Sequence, residues 1–316
     1  MNASICWKQS RSRWLKKGDA NTKYFHFVLA NRRRGNAISS LQVGGVTVEG
    51  VTPIRHAVVS HFASHFKAVN VKRLGVDSLT FKRLHLTEAS SLIKPLSLEE
   101  VKTAVWEIVL KVQAQMELIL VSSKIFGLRC KVLANWLRSV MGSVIPESQT
   151  VFVRDKKIFD GILIANEVVD EARRAKKELM LFKEDFEKAY DSVDWGYLDA
   201  VMGRMSFPSL WRKWIKECVC TATASVLVNG SPTDEFPLER GLKQGDPLSP
   251  FLFLLAAERL NVLMEAMEAH NLFTGYRVGK SALISVSHLQ FADDTLLMET
   301  KCWVNVRALR VVLILF

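Results

Sequence analysis

The sequence predicts an α+β fold. Three features carry this expectation: apolar residues recur at helical spacing in several stretches, short apolar strands run into turn signals, and 49% of the 316 residues are apolar beside a charged fraction of 24%. That balance suits a packed globular core, and the length suits one large domain or two ordinary ones.

Residues 36–50 alternate and end in Gly44-Gly45 and Gly50, which predicts a short hairpin. Residues 52–72 carry Ile54, Val58, Val59, Phe62 and Phe66 at helical spacing. His61 and His65 stand four apart there, but Phe62 occupies the place where a metal-protease helix needs Glu, so no metal role is assigned. Ser97 and Glu100 form a capping box opening a further helix. Helices are expected around 129–143 and 160–177, the second ending in a Lys/Arg-rich turn that complements its dipole. Leu179 to Phe182 begins a strand that runs into Asp185. Asp194 caps a helix whose apolar face is Trp195, Leu198, Met202 and Met205. After Pro208 a second helix turns Leu210, Trp211, Trp214, Ile215 and Cys218 inward. Asn229-Gly230 is a strong hairpin signal. Ser249-Pro250 reads as N-cap and N1 of a long helix carrying Phe251 to Met267. Leu289 to Met298 reads as strand, tight turn, strand, with Asp293-Asp294 at the turn.

No apolar run approaches the roughly 18 residues needed to span a bilayer, and the polar, basic opening residues do not form a secretory signal. The expectation is a protein without membrane partners, intracellular, in nucleus or cytoplasm. Five scattered cysteines argue against a disulfide framework and lack zinc-ribbon spacing. The net charge is +11, and residues 1–36 hold nine basic residues (Lys8, Arg11, Arg13, Lys16, Lys17, Lys23, Arg32, Arg33, Arg34) against Asp19, so +8 of it lies there. Trp14, Tyr24, Phe25 and Phe27 are interleaved with these charges. The mixture suits phosphate neutralisation with base stacking, and a solvated basic tail is the alternative.

Two elements end in acid: Asp185 with the following Phe186 to Asp191, at the end of an apolar strand, and Asp293-Asp294 at a hairpin tip. Carboxylates held close together repel unless a cation joins them. Magnesium suits them, because it takes hard oxygen ligands and leaves places for phosphate. Two such ions can activate a 3′-hydroxyl and stabilise departing pyrophosphate. The plainer reading of Asp293-Asp294 is a turn that favours Asp. Between these elements, Gly241 and Gly245 let the backbone approach a ligand closely, and Lys243 and Gln244 can contact a nucleotide or template.

Taken together, Phe182 to Asp191, the run Gly-Leu-Lys-Gln-Gly-Asp-Pro-Leu-Ser-Pro-Phe-Leu-Phe from Gly241 to Phe253, and Phe291-Ala292-Asp293-Asp294 resemble the palm motifs of reverse transcriptases. The similarity is to plant LINE-type (non-LTR) retrotransposon polymerases. It extends to Ser12 to His26, which resembles the segment before their polymerase, to Lys131 to Asn135, and to Asp160 to Glu167.

The resemblance implies a palm, an antiparallel sheet backed by helices, with partial fingers and a helical N-terminal arm. It implies a division into a basic arm and linker over 1–95, partial fingers over 96–178 and a palm over 179–316. Asp185 and Asp293 would be the main metal ligands, supported by Asp294, holding two Mg2+ ions, with Mn2+ as the alternative. Phe186, Tyr190, Lys243, Gln244 and Gly245 would line the nucleotide and template site, Tyr190 closing against the 2′ position of the incoming nucleotide. The partners implied are an RNA template, a DNA primer and deoxynucleoside triphosphates. The reaction implied is in-line attack of a primer 3′-hydroxyl on the triphosphate.

The sequence departs from the family in places. Glu184 stands where an apolar residue is usual, and strand alternation puts it with Met180, Phe182 and Phe186 on the face expected to be buried. Asp155-Lys156 replaces the usual Gly and Arg. Residues 107–128 read as unrelated apolar sequence where the fingers carry several dozen more residues, and the chain stops soon after Asp294. The expectation is therefore a truncated copy. Two functions compete: an RNA-directed DNA polymerase, and a catalytically inactive remnant that keeps nucleic-acid binding through its arm. A metal-dependent phosphohydrolase using the same acids has no support from the Gly245-Asp246-Pro247 loop.

Overall fold

Residues able to take a positive φ define the hairpins. The computed structural model describes residues 30–31, 34–68, 79–115, 121–153, 156–279 and 284–316. Strands β1 (Ser40–Val43) and β2 (Val46–Glu49) pair antiparallel around Gly44 and Gly45, at φ 58° and 83°. Positive φ at both loop residues is the hairpin turn whose twist matches its strands. Helix α1 (Val51–His65) follows and ends short of the expected 72. Next come α2 (Leu86–Ser91), α3 (Leu98–Gln115), α4 (Val121–Val144) and α5 (Ile158–Ala175). The Ser97 box opens α3: Ser97 N donates to Glu100 Oε2 (2.9 Å) and Glu100 N to Ser97 Oγ (3.2 Å). Helices α3 and α4 take up the described residues of 107–128, so 107–115 and 121–128 are helical where the sequence suggested no element.

Strand β3 (Leu179–Asp185) leads through a short 3-10 turn at Tyr190–Ser192 to α6 (Trp195–Arg204) and α7 (Ser209–Cys220). Asp194 caps α6 as expected, accepting from Tyr197 N at 2.6 Å. Four two-residue strands follow: β4 (Thr223–Ala224), β5 (Leu227–Val228), β6 (Ser231–Pro232) and β7 (Phe236–Pro237). The chain then forms α8 (Ser249–Ala269), β8 (Tyr276–Val278), β9 (Ile284–Val286), β10 (His288–Phe291), β11 (Asp294–Thr300) and α9 (Trp303–Leu315).

These elements form two compact units: residues 1–67, 109–118 and 221–238, and residues 68–108, 119–220 and 239–316. In the first, Asn229-Gly230 turns β5 into β6 with φ 53° and 83°. The Asn229 amide also binds Ile38 twice, accepting from its N (2.8 Å) and donating to its O (3.1 Å).

The second unit is built around α8, buried from Phe251 to Met264. Its antiparallel sheet has the order β10-β11-β3. Central β11 is covered on both faces. Leu297 packs with Leu260, Met264, Leu309 and Val312 from α8 and α9, while Met298 packs with Val168 and Ala172 of α5. A strand buried on both sides reads as a continuous apolar run, which is what Leu296-Leu297-Met298 shows. This is the α+β arrangement expected: an antiparallel sheet backed by helices.

Three local expectations need correction. Leu210 is 44% exposed, because the buried stripe of α7 runs through Trp211 and Ile215, one residue on. Leu248, not Ser249, is the N-cap of α8, since Asp246 Oδ1 accepts from Leu248 N (2.8 Å) and draws the start back one residue. The face carrying Glu184 is not fully buried: β3 is an edge strand, Phe182 is 41% exposed and Glu184 only half-buried.

Candidate active site

Strand register brings two of the acids together. Asp185, the last residue of β3, lies directly opposite Asp294, the first of β11. Opposed residues of antiparallel strands project to the same side with Cα atoms roughly 4.5–5.5 Å apart. Asp293 sits in the two-residue loop between Phe291 and Asp294, which pair. Ala292 takes φ 59°, and Asp293 is not at positive φ. Positive φ at the first loop residue alone is the II′ arrangement, which normally selects Gly. An alanine there carries strain on the order of 1–2 kcal/mol.

The charges around these acids are arranged. Lys183, two residues before Asp185 and on its face, places Nζ 3.0 Å from Asp294 Oδ1. The hydrogen bond to Asp294, then the charge of Asp294 and more weakly that of Asp185, hold the Lys183 ammonium above the usual lysine range. At Tyr190, burial first and then the Asp293 charge push the hydroxyl above its ordinary value. Among the described residues, no group of three or more His, Cys, Asp or Glu side chains is gathered to hold a metal ion. As donors, the acids fit a hard divalent cation: carboxylate oxygens at a strand end, with Asp185 exposed and the Asp294 side chain 46% exposed. The three acids do not form one such group here, and the Lys183 ammonium lies against Asp294.

Aromatic rings floor the site. Tyr190 stacks on Phe253 of α8, with centroids 4.5 Å apart and planes 16° from parallel. Phe186, the residue after Asp185, packs against Phe316 at 4.9 Å. A cavity of about 120 Å³ opens between them, lined by Phe186, Tyr197, Phe253, Gln290, Ala292 and Phe316.

The glycine-rich loop docks through its own backbone atoms on the segment after β3 and on the Trp195 indole. Gly241 N donates to Val193 O and Leu242 N to Tyr190 O, both at 2.8 Å, and Trp195 Nε1 donates to Gly241 O at 2.8 Å. A Cβ on Gly241 (φ 92°) would stand 2.9 Å from Asp191 O, so only glycine allows this approach. Beyond this anchor, Lys243, Gln244 and Gly245 are exposed. Gly245 at φ 87° and the bond from Asp246 N to Lys243 O (3.2 Å) form a turn that presents Lys243 and Gln244 to solvent.

Of the arm residues, Arg34 is described: it is exposed and donates to Asn31 Oδ1 at 3.2 Å. Arg11, Arg13, Lys16, Lys17, Lys23, Arg32 and Arg33 lie outside the described residues. Sequence reasoning missed Lys183, Trp195 and Phe253, and also Gln149, whose amide meets Ala292. Only Lys183 carried a local signal, its spacing of two from Asp185 on a strand.

The chain is 32% identical over 168 residues to the transposon TX1 uncharacterized 149 kDa protein of Xenopus laevis, covering 53% of this chain and 12% of that protein. It is 40% identical over 77 residues to an uncharacterized mitochondrial protein of Arabidopsis thaliana, covering 24% and 62%. It is 26% identical over 182 residues to the retrovirus-related Pol polyprotein from type-1 retrotransposable element R2 of Popillia japonica, covering 57% and 24%. The matched regions are thus less than two thirds of each relative. Residues 123–312 match the family described as reverse transcriptase (RNA-dependent DNA polymerase). That span holds β3, the glycine-rich loop and the β10–β11 hairpin, and the chain belongs to the reverse transcriptase family.

Proposed function

We propose that this chain is the polymerase domain of a non-LTR retrotransposon of the plant LINE type, with a shortened fingers segment between Trp106 and Lys131. Its reaction would be RNA-templated DNA synthesis. The observation that carries this reading is the register pairing of Asp185 with Asp294, beside Asp293, in a chain that matches the family over residues 123–312. Asp185, Asp293 and Asp294 would hold divalent magnesium, with manganese as a substitute. When bound, such ions supply charge neutralisation at the attacking hydroxyl and the leaving pyrophosphate.

The chain's own residues do the positioning. Tyr190, held flat against Phe253, would close against the sugar of a deoxynucleoside triphosphate. Phe186, Lys243, Gln244 and Gly245 would line the nucleotide and template path. Arg11, Arg13, Lys16, Lys17, Lys23, Arg32, Arg33 and Arg34 would grip RNA template and DNA primer through phosphate contacts. The functional division proposed is arm and linker over 1–95, partial fingers over 96–178 and palm over 179–316, with nucleus or cytoplasm as the site of action.

A second reading is favoured by two observations: Asp294 is engaged by Lys183, and no three acids are gathered among the described residues. On that reading the chain is an inactive relative that binds nucleic acid. Primer extension on an RNA template with magnesium, with Asp293→Ala as background, separates the two. Because the basic strands of the fingers are shortened, extension by the isolated chain is expected at or barely above background. Removing one charge-stabilising donor costs roughly 10²–10³ in rate. Robust extension that Asp293→Ala abolishes would remove the inactive reading, and robust extension that Asp293→Ala retains in full would remove the metal role of Asp293.

A further inference from the structure

Gln149 lies far from the acids in sequence, yet it touches the turn that carries them. Its side chain is 2% exposed. Its Oε1 accepts from Ala292 N at 3.2 Å and from Val151 N at 3.3 Å. Ala292 is the residue at positive φ, so this bond lands on the strained point of the hairpin. The backbone around Gln149 is clamped to the same hairpin: Gln290 N donates to Ser148 O (2.8 Å) and Thr150 N to Gln290 O (3.1 Å). Behind it, Ser148 Oγ donates to Asn261 Oδ1 (3.2 Å), and Asn261 Nδ2 donates to Glu258 Oε1 (3.0 Å) and Glu265 Oε1 (3.1 Å). The segment is therefore anchored on α8 on one side and on the Asp293 turn on the other.

We propose that Gln149 is a positioning residue that holds the Ala292 turn, and through it the carboxylates of Asp293 and Asp294, in one geometry. The proposal rests on the polymerase reading for the purpose of that geometry, though not for its existence. Ala292 N–H can only donate, so the Gln149 amide must turn its oxygen inward. Strain at such a residue persists only where the surroundings over-determine it. Gln149 supplies that constraint from outside the hairpin, where a shift of the turn would move both acids together. Acting through the backbone of the turn, it would orient the carboxylates that hold a cation without touching the ion itself.

The test uses the full chain with Gln149→Met, which keeps length and volume but does not present the amide oxygen, and Gln149→Glu, which keeps an acceptor. Three quantities are read: the thermal midpoint, amide hydrogen exchange at Ala292, and affinity for Mn2+ by electron paramagnetic resonance. Loss of the acceptor should speed exchange at Ala292 by roughly tenfold and weaken Mn2+ binding by roughly 10–100-fold. Gln149→Glu should retain the slow exchange of the parent. Unchanged exchange in a folded Gln149→Met chain would overturn the proposal. So would faster exchange with unchanged Mn2+ affinity, since the turn would then move without moving the acids. A parent chain that binds no Mn2+ would instead sink the metal reading of the preceding section, and exchange at Ala292 alone would decide whether Gln149 holds the turn. If Gln149→Met fails to fold, the comparison of Gln149→Glu with parent exchange carries the decision, fast exchange there overturning the role.

Discussion

Replacing Gly241 with alanine tests whether the glycine-rich loop is held by close backbone approach. Two costs add. At φ 92° an L residue is disfavoured by about 1–2 kcal/mol, partly offset by about 0.4–1 kcal/mol because alanine restricts the unfolded chain. The new Cβ would also stand 2.9 Å from Asp191 O and 3.2 Å from Asp191 Cα, and both obstacles are backbone. The loop must therefore lift. Lifting stretches three bonds now at 2.8 Å, from Gly241 N to Val193 O, from Leu242 N to Tyr190 O and from Trp195 Nε1 to Gly241 O. Weakening one or two of these costs roughly 1–3 kcal/mol, for a total on the order of 2–4 kcal/mol. Gly245→Ala is the control. Gly245 has φ 87°, but a Cβ there meets nothing within 4 Å, so it bears only the conformational cost, about 1 kcal/mol. Equilibrium urea unfolding, followed by tryptophan fluorescence, should put the Gly241→Ala midpoint clearly below that of Gly245→Ala. Trp195, which bonds the loop directly, should shift its emission in the first variant only. Coincident midpoints would refute the close-approach argument.

Glu299 gives a prediction on pH. It is wholly buried with both oxygens lacking a hydrogen-bond partner, and burial pushes its carboxyl up to about 7. A raised carboxyl stabilises the fold while protonated, so stability should fall as pH rises from about 4.5 through 7. Glu299→Gln should remove that fall and exceed the parent by on the order of 2–3 kcal/mol at pH 8; equal urea midpoints for the two proteins at pH 8 would contradict it. For the arm, log affinity for single-stranded nucleic acid should fall with log salt, and neutral substitution of Arg11, Arg13, Lys16 and Lys17 should flatten the slope by roughly 0.7–0.9 for each phosphate no longer neutralised. An unchanged slope would mean that these residues are only solvated charge.

The sequence by itself determined what is local. Asn229-Gly230 set its hairpin because both loop residues tolerate positive φ. Ser97 with Glu100, and Asp194 before Trp195, started their helices because a cap is a bond across three residues. The acids were legible for the same reason: Asp185 ends an apolar strand and Asp293-Asp294 interrupts another, within runs specific enough to mark the family. Tertiary structure decided whatever depended on a distant partner. Glu184 and Phe182 alternate as a buried face would, but β3 lies at the sheet edge, and strand order is not written in a strand's own residues. Leu210 was assigned inward by periodicity, yet one position of rotation, set by what α7 packs against, left it in water. The register that opposes Asp185 to Asp294, the lysine that occupies Asp294, and the glutamine 143 residues away that holds Ala292 all arise from pairing between remote segments. Such pairings follow from how the sheet closes on α5 and α8, and the periodicity and cap chemistry of a short window carry no record of them.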